Sequence, residues 1–234
     1  MEEKLRTETL VKIAHDRLYP PITNHSYLVL RRRRQILSAW IGGIDGKELS
    51  VLDIGGRYQP YRPLLGDRIK QYVAIDVIQT PLVDVIGRGE QLPFRGDAFD
   101  LVIATGVFEF FPEPRAAADE IHRVLRPGGH LLVSVASIAP RADDREHWRY
   151  LPAGLRFALA SFSKVDIIPE VTSIGGFFRL TAWTSNVFAK YSLVRRIFNY
   201  TLVPGLNVIG LALESAGLTQ NDQVSGALSA LAQK

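Results

Sequence analysis

The sequence predicts a doubly wound α/β fold with a mainly parallel sheet, and three observations carry that prediction. Four short apolar runs, "SVLDIG" (50–55), "YVAIDV" (72–77), "FDLVIAT" (99–105) and "HLLVSVAS" (130–137), show no clean alternation of polar and apolar residues. Unbroken apolar strands are those buried on both faces, as in a parallel sheet covered by helices. Between the last two runs lies a helical segment, "EPRAAADEIHRVLRPGG". Pro114 suits its first turn, Ala117, Ile121, Val124 and Leu125 share one face, and Arg126-Pro127-Gly128-Gly129 stops it. Strand and helix keep alternating to residue 171: "PAGLRFALASF" (152–162) reads as a helix opened by Pro152, and "KVDIIPEV" (164–171) as a further strand.

Two flanks surround this core. Residues 1–48 read as two helices around a "YPP" break. The second, "SYLVLRRRRQILSAWI", sets four arginines between apolar blocks. Such a run either meets phosphate or an anionic membrane surface, or fans into solvent while the apolar turns pack on the domain. Residues 177–216 are apolar and helix-like. Phe177, Phe178, Leu180, Trp183, Phe188, Tyr191, Leu193, Ile197, Phe198 and Tyr200 supply more apolar surface than a solvated excursion needs. The expectation is a helical cap that shapes an acceptor pocket or an oligomer interface. The alternatives are a plain extension of the core and, through Arg195, Arg196 and residues 31–34, peripheral membrane contact. The last stretch, "VSGALSALAQK", fits a small-residue edge strand or a short helix. The expected organisation is a helical flank over 1–48, an α/β core over 49–176, a cap over 177–216 and a closing element over 217–234.

Composition bounds the function. Hydrophobic residues make up 47% and charged residues 22%, as in a globular domain, and a net charge of +4 is too small to argue for nucleic acid. The absence of cysteine excludes disulfides, cysteine-ligated zinc and thiol nucleophiles. The charged, amphipathic start "MEEKLRTETLVKIAHDRLYPP" is not a secretory signal. "LVPGLNVIGLAL" (202–213) is too short to span a bilayer and is interrupted by Pro204, Gly205, Asn207 and Gly210. A cytoplasmic location is the default expectation.

In an open parallel sheet, ligands sit beyond the carboxyl ends of the strands. The first strand ends in Asp53-Ile54-Gly55-Gly56, where glycines let the backbone approach a ligand closely. Asp76 ends the second strand, 21 residues after Gly55, where a carboxylate can accept both hydroxyls of a ribose. NAD enzymes and S-adenosylmethionine enzymes share that pair of features. The dinucleotide fingerprint needs three glycines to seat a pyrophosphate on a helix N-terminus. Arg57 and Gln59 break it here, and Pro60 removes a donor from the next helix. S-adenosylmethionine has no pyrophosphate and asks less of that terminus.

The segment "VLDIGG…AIDV…GEQLPFRGDAFDLVIATGVFEFFPEPRAAADEIHRVLRPGGHLLVSV" resembles the class I S-adenosylmethionine-dependent methyltransferases, over roughly residues 49–171. "HWRYLPAGLRFAL" (147–159) is similar to a segment of bacterial members linked to polysaccharide or natural-product loci. The resemblance implies that Gly55 and Gly56 line the methionine portion of the cofactor, with Asp53 beneath them. Asp76 would hold the ribose and Val77 would pack on adenine. Gly89 and Glu90 would border the adenine edge, and Ala104 and Thr105 would face the amino-acid tail. Three places depart from the family pattern: Arg57 replaces a glycine, Arg88 stands where an adenine-contacting Asp is usual, and "FEF" (108–110) replaces "LEH". Arg57 either pairs with the cofactor carboxylate or obstructs its path. The implied activity is methyl transfer to a small molecule or glycan precursor, or, with catalysis lost, a binding module. His147, in the loop after the fifth strand, is the candidate base, or else a structural loop histidine.

Overall fold

The structure, a computed structural model, describes residues 2–184, 191–218 and 221–234. Among the described residues seven strands form one sheet: β1 (Leu49–Ile54), β2 (Ile69–Asp76), β3 (Val85–Ile86), β4 (Phe99–Thr105), β5 (Leu125–Ala136), β6 (Lys164–Pro169) and β7 (Ala227–Gln233). Their order is β3-β2-β1-β4-β5-β7-β6. All neighbours run parallel except β7, which is antiparallel to both β5 and β6. Strand order reverses between β1 and β4, so the carboxyl ends of those strands frame the crevice where a doubly wound sheet takes its ligand.

The helices are α1 (Glu2–Leu18), α2 (Tyr27–Gly43), α3 (Pro114–Val124), α4 (Pro152–Ala158), α5 (Ser173–Trp183), α6 (Ser192–Tyr200) and α7 (Leu202–Ser215). Every residue of β1 is buried, because successive side chains feed opposite cores. Leu52, Val102, Leu131 and Val133 pack with Ile121 and Val124 of α3 and Leu155 of α4. Val51, Leu101, Ile103 and Leu132 pack on the other face with Leu37 and Ile41 of α2 and Leu18 of α1. That two-sided demand is why the runs read as continuous apolar blocks. Burying each such side chain contributes roughly 1.5–3 kcal/mol.

Four expectations need correction. The C-terminal segment is neither a helix nor an edge: β7 lies between β5 and β6, and Ala227, Ala230 and Ala232 are small because both faces are covered. No α-helix follows β1. Pro60 and Pro63 remove amide donors, and a short 3-10 segment, Arg62–Arg68, is broken at Gly66 (φ 56°). The arginine run does not simply fan into solvent, since Arg33 turns inward onto Glu170 and Arg34 donates to the Leu18 carbonyl. The late helical region starts at Ser173, four residues before expectation, where the Thr172 hydroxyl caps Ile174 N–H. In α5 a Cβ on Gly176 would stand 1.7 Å from the Val224 carbonyl oxygen, so only glycine lets this helix press onto the domain.

Phe188, one of the expected cap residues, lies outside the described residues. A third core joins Leu28 and Val29 of α2 to Phe178 of α5, Leu211 of α7, Val171 and Ala227. α6 buries no side chain, and α7 buries Val203, Asn207 and Gly210. Together Ser192–Ser215 are long and apolar enough to cross a membrane, by length and composition, which the shorter stretch 202–213 is not.

Candidate active site

Gly55 takes φ 77°, and the amides of Gly55 and Gly56 both donate to the Ile75 carbonyl of β2, at 2.8 and 3.2 Å. A Cβ on Gly56 would stand 2.8 Å from the Asp53 carbonyl oxygen and 2.9 Å from Ala74 Cβ. These glycines therefore serve close approach. Their N–H groups are engaged within the sheet, and no α-helix N-terminus follows, so the turn lacks both parts of a pyrophosphate cradle. Gln59 nevertheless keeps the left-handed backbone of the glycine it replaces, with φ 53°. Both ends of its side chain are fastened: Nε2 donates to the Leu82 carbonyl at 2.5 Å, and Oε1 accepts from Arg62 at 2.9 Å.

Asp76, 7% exposed, stands beside Val77, 60% exposed. One Asp76 oxygen accepts from Ile78 N–H at 2.9 Å and the other lies 4.0 Å from Arg57 Nε. An apolar platform thus adjoins a carboxylate at the carboxyl end of β2, a pairing suited to a nucleoside. Arg57 and Arg17 of α1 both lie over the Tyr58 ring, 5.1 and 4.5 Å from its centroid. Beneath the turn, burial pushes the Asp53 carboxyl up to about 7; the Tyr72 hydroxyl, donating at 2.6 Å, opposes that and the Asp76 charge adds to it. At the neighbouring edge a Cβ on Gly89 would stand 2.5 Å from the Phe111 ring, and Glu90 lies 3.8 Å from Arg88. Arg88 therefore extends into solvent, beside an acid of its own loop.

At the end of β4 the structure corrects one expectation. Ala104 is fully buried, its side chain directed into the α3 core by strand alternation, so it offers a ligand only backbone. Thr105 is partly exposed and sits in register with Ser134 of β5. The "FEF" turn is stitched to the "HWRY" segment. His147 N–H donates to the Glu109 carbonyl at 2.7 Å, Trp148 Nε1 to the Phe111 carbonyl at 2.8 Å, and Tyr150 hydroxyl to the Phe108 carbonyl at 3.0 Å. The backbone of His147 is thereby fixed while its residue stays exposed. Arg149 pairs with Glu146 at 2.6 Å, which settles its partner among the nearby acids.

Sequence reasoning missed two buried carboxylates. Glu109 accepts from Ala136 N–H with one oxygen and leaves the other without a partner; burial pushes its carboxyl up, against the Ala136 hydrogen bond. Glu170 is fully buried beyond β6. Its Oε1 accepts from Arg33 Nε (2.8 Å), Ser134 Oγ (2.6 Å) and Ser229 Oγ (2.8 Å), and its Oε2 has no partner. Burial lowers the affinity of Arg33 for its proton, but the Glu170 charge outweighs this and the guanidinium stays firmly protonated. α2 is thus strapped across the carboxyl ends of the sheet. The signal was available, since Glu170 follows an apolar strand as Asp76 ends one. Among the described residues no cluster of His, Asp and Glu could hold a metal ion.

Residues 52–133 match a protein family described as "Methyltransferase domain". The chain is 28% identical over 144 residues to the demethylmenaquinone methyltransferase of Clavibacter sepedonicus, covering 58% of this chain and 54% of that protein. It is 37% identical over 65 residues to the malonyl-[acyl-carrier protein] O-methyltransferase of Methylococcus capsulatus, covering 28% and 24% respectively. The chain therefore spans between a quarter and about half of these relatives' own lengths. A solved structure described as the [4+2]-cyclase SpnF superimposes with a TM-score of 0.54 at 20% identity, over 86% of this chain and 80% of that one. That likeness shows the fold, and a fold by itself does not dictate a reaction.

Proposed function

We infer that this chain, whose residues 52–133 match a methyltransferase domain, is a class I S-adenosylmethionine-dependent methyltransferase that transfers a methyl group to a small-molecule acceptor. The observation that carries this reading is the exposed Val77 platform beside the Asp76 carboxylate, next to a glycine turn whose amides are already engaged. Those residues fit a nucleoside without a pyrophosphate. Gly55 and Gly56 let the turn close tightly where a Cβ would crowd Val107, Asp53 and Ala74, Asp76 would hold the ribose, and Arg57 can turn from Asp76 toward the cofactor carboxylate. The cofactor supplies a methyl group already activated by a sulfonium. The chain's own task is then to hold the acceptor in line and exclude water. His147 stands on the ligand side, ready to take a proton where the acceptor must lose one.

The curated relatives named for demethylmenaquinone and for a malonyl carrier support a small-molecule acceptor. The similarity of "HWRYLPAGLRFAL" to enzymes of polysaccharide loci adds a glycan precursor as the finer alternative. A cytoplasmic location belongs to the same reading. Calorimetry with S-adenosylhomocysteine tests it. Asp76→Ala removes a charge-assisted pair of ribose contacts and should weaken binding on the order of a hundredfold. An unchanged dissociation constant would overturn the assignment.

A second reading, a methyltransferase-like module without catalysis, is favoured by the Arg57 guanidinium lying 4.0 Å from the ribose acid. S-adenosylhomocysteine binding with no turnover across a broad acceptor panel would select it.

A further inference from the structure

We propose that α6 and the outer face of α7 dock the protein on an anionic membrane surface, with both helices lying in the interface. On α6, Leu193, Val194, Ile197 and Tyr200 fall on one arc of the helix, and Arg195, Arg196 and Asn199 on the opposite one. No α6 side chain is fully buried, and on the apolar arc Leu193 is 68% exposed and Tyr200 71%. α7 is turned with its polar Asn207 inward and Val208 and Ile209 outward, the reverse of a helix facing water. The Asn207 amide donates to the Ile22 and Asn24 carbonyls at 2.7 and 2.9 Å, which fixes that orientation.

Charge selects the occupant. The 43 residues from Val171 to Leu213 contain no Asp or Glu, in a chain that has 24 of them. The segment carries Arg195 and Arg196, both exposed, and neither forms an ion pair among the described residues. A second copy is the poorer fit. A two-fold interface would set this patch against itself, cation facing cation, with no acid to intervene. An anionic lipid surface meets both demands. It takes the apolar arc of α6 into the acyl boundary, lets the guanidiniums reach phosphate, and suits Tyr191 and Tyr200 at the two ends of α6. The helices lie along the membrane, since the stretch Ser192–Ser215 is broken at Thr201 and Asn207 and Glu214 tie α7 to the domain. This inference is independent of the methyl acceptor.

The test is co-sedimentation of the full chain with vesicles of phosphatidylcholine, alone or mixed with phosphatidylglycerol. The wild type should bind the mixed vesicles, less so as salt rises. Arg195→Ala with Arg196→Ala should weaken binding about tenfold or more. Leu193→Asp with Ile197→Asp should abolish it at an unchanged melting temperature, because neither side chain is buried. Failure of the wild type to bind, or undiminished binding of the aspartate variant, would overturn the proposal. So would light scattering that shows a dimer dissociated by the same aspartates, which assigns the patch to a second copy.

Discussion

The strand-end site and the late helices are built on opposite polarity rules. Around β1, β2, β4 and β6 the strands' apolar side chains lie mostly inside, Val77 at the site being exposed, and the buried carboxylates, Asp53, Asp76, Glu109 and Glu170, carry charge or chemistry. On α6 and the outer face of α7 apolar side chains lie outside, and the one fully buried polar group of these helices, Asn207, is a clamp to backbone carbonyls. A residue's character therefore tells what it can bury, while the partner decides which side is buried. The same contrast holds for arginine. Arg33 is a bonded strut in the first region, and Arg195 and Arg196 are free ends in the second.

That contrast can be broken first at Arg33. Arg33→Met would leave the Glu170 carboxylate buried with only two serine donors, and should cost about 3–5 kcal/mol by urea denaturation. Adding Glu170→Gln should return much of the loss, since the uncompensated charge is then gone. Arg195→Met should stay within about 0.5 kcal/mol of wild type. A loss below about 1 kcal/mol for Arg33→Met would mean that α2 is not strapped to the sheet by this pair.

The two regions should also titrate in opposite senses. The Asp53 carboxyl stands at about 7 in the folded protein against an ordinary 3.8. Between those values the folded chain holds a proton that the unfolded chain has lost, so this group removes stability as pH rises from about 4 to 7, by up to about 4 kcal/mol. His25, edge-on to Trp183 of α5, is pushed down to about 4 by burial, with the Arg179 charge adding. Over pH 4 to 6.5 the unfolded chain binds a proton there that the folded chain does not, so this group adds stability as pH rises. The two slopes offset each other in the wild type. Asp53→Asn should become more stable between pH 4 and 6.5, and His25→Gln less stable, in denaturation curves taken across that range. Parallel curves for both variants would show that neither group is held as the geometry implies.

Much of the first region was legible in the sequence because its rules are local. Apolar runs gave the strands, Asp53, Gly55, Gly56 and Asp76 were placed by their strand ends, and the helix before "RVLRPGG" was placed by its own face and stop signal. Glu109 and Glu170 were missed because their roles depend on what folds over them, Ala136 N–H in one case and Arg33 from 137 residues away in the other. The β7 sequence fits an edge strand or a short helix equally, because small residues are ambiguous until both covering layers are known. The second region was legible only as apolar surface. Which side of α7 meets the domain follows from Asn207 finding the Ile22 and Asn24 carbonyls, and no periodicity announces that.

The smallest effects sharpen the comparison at two backbone positions. Gln59 sits in the left-handed region in the strand-end loop, and Gly205 sits in the first turn of α7 with nothing within 4 Å of where a Cβ would be. Gln59→Gly relieves about 1 kcal/mol of backbone strain but gives up two side-chain hydrogen bonds worth about 1 kcal/mol each. The expected net is a loss of about 1 kcal/mol. Gly205→Ala restricts the unfolded chain and suits a helix, so it should stabilise by about 0.5–1 kcal/mol in solution. Opposite signs in thermal denaturation would confirm that the first region holds its loop by specific bonds while the outer face of α7 is open. If Gly205→Ala instead destabilises, that face is packed against something in solution, and the polarity contrast between the two regions fails at its most exposed point.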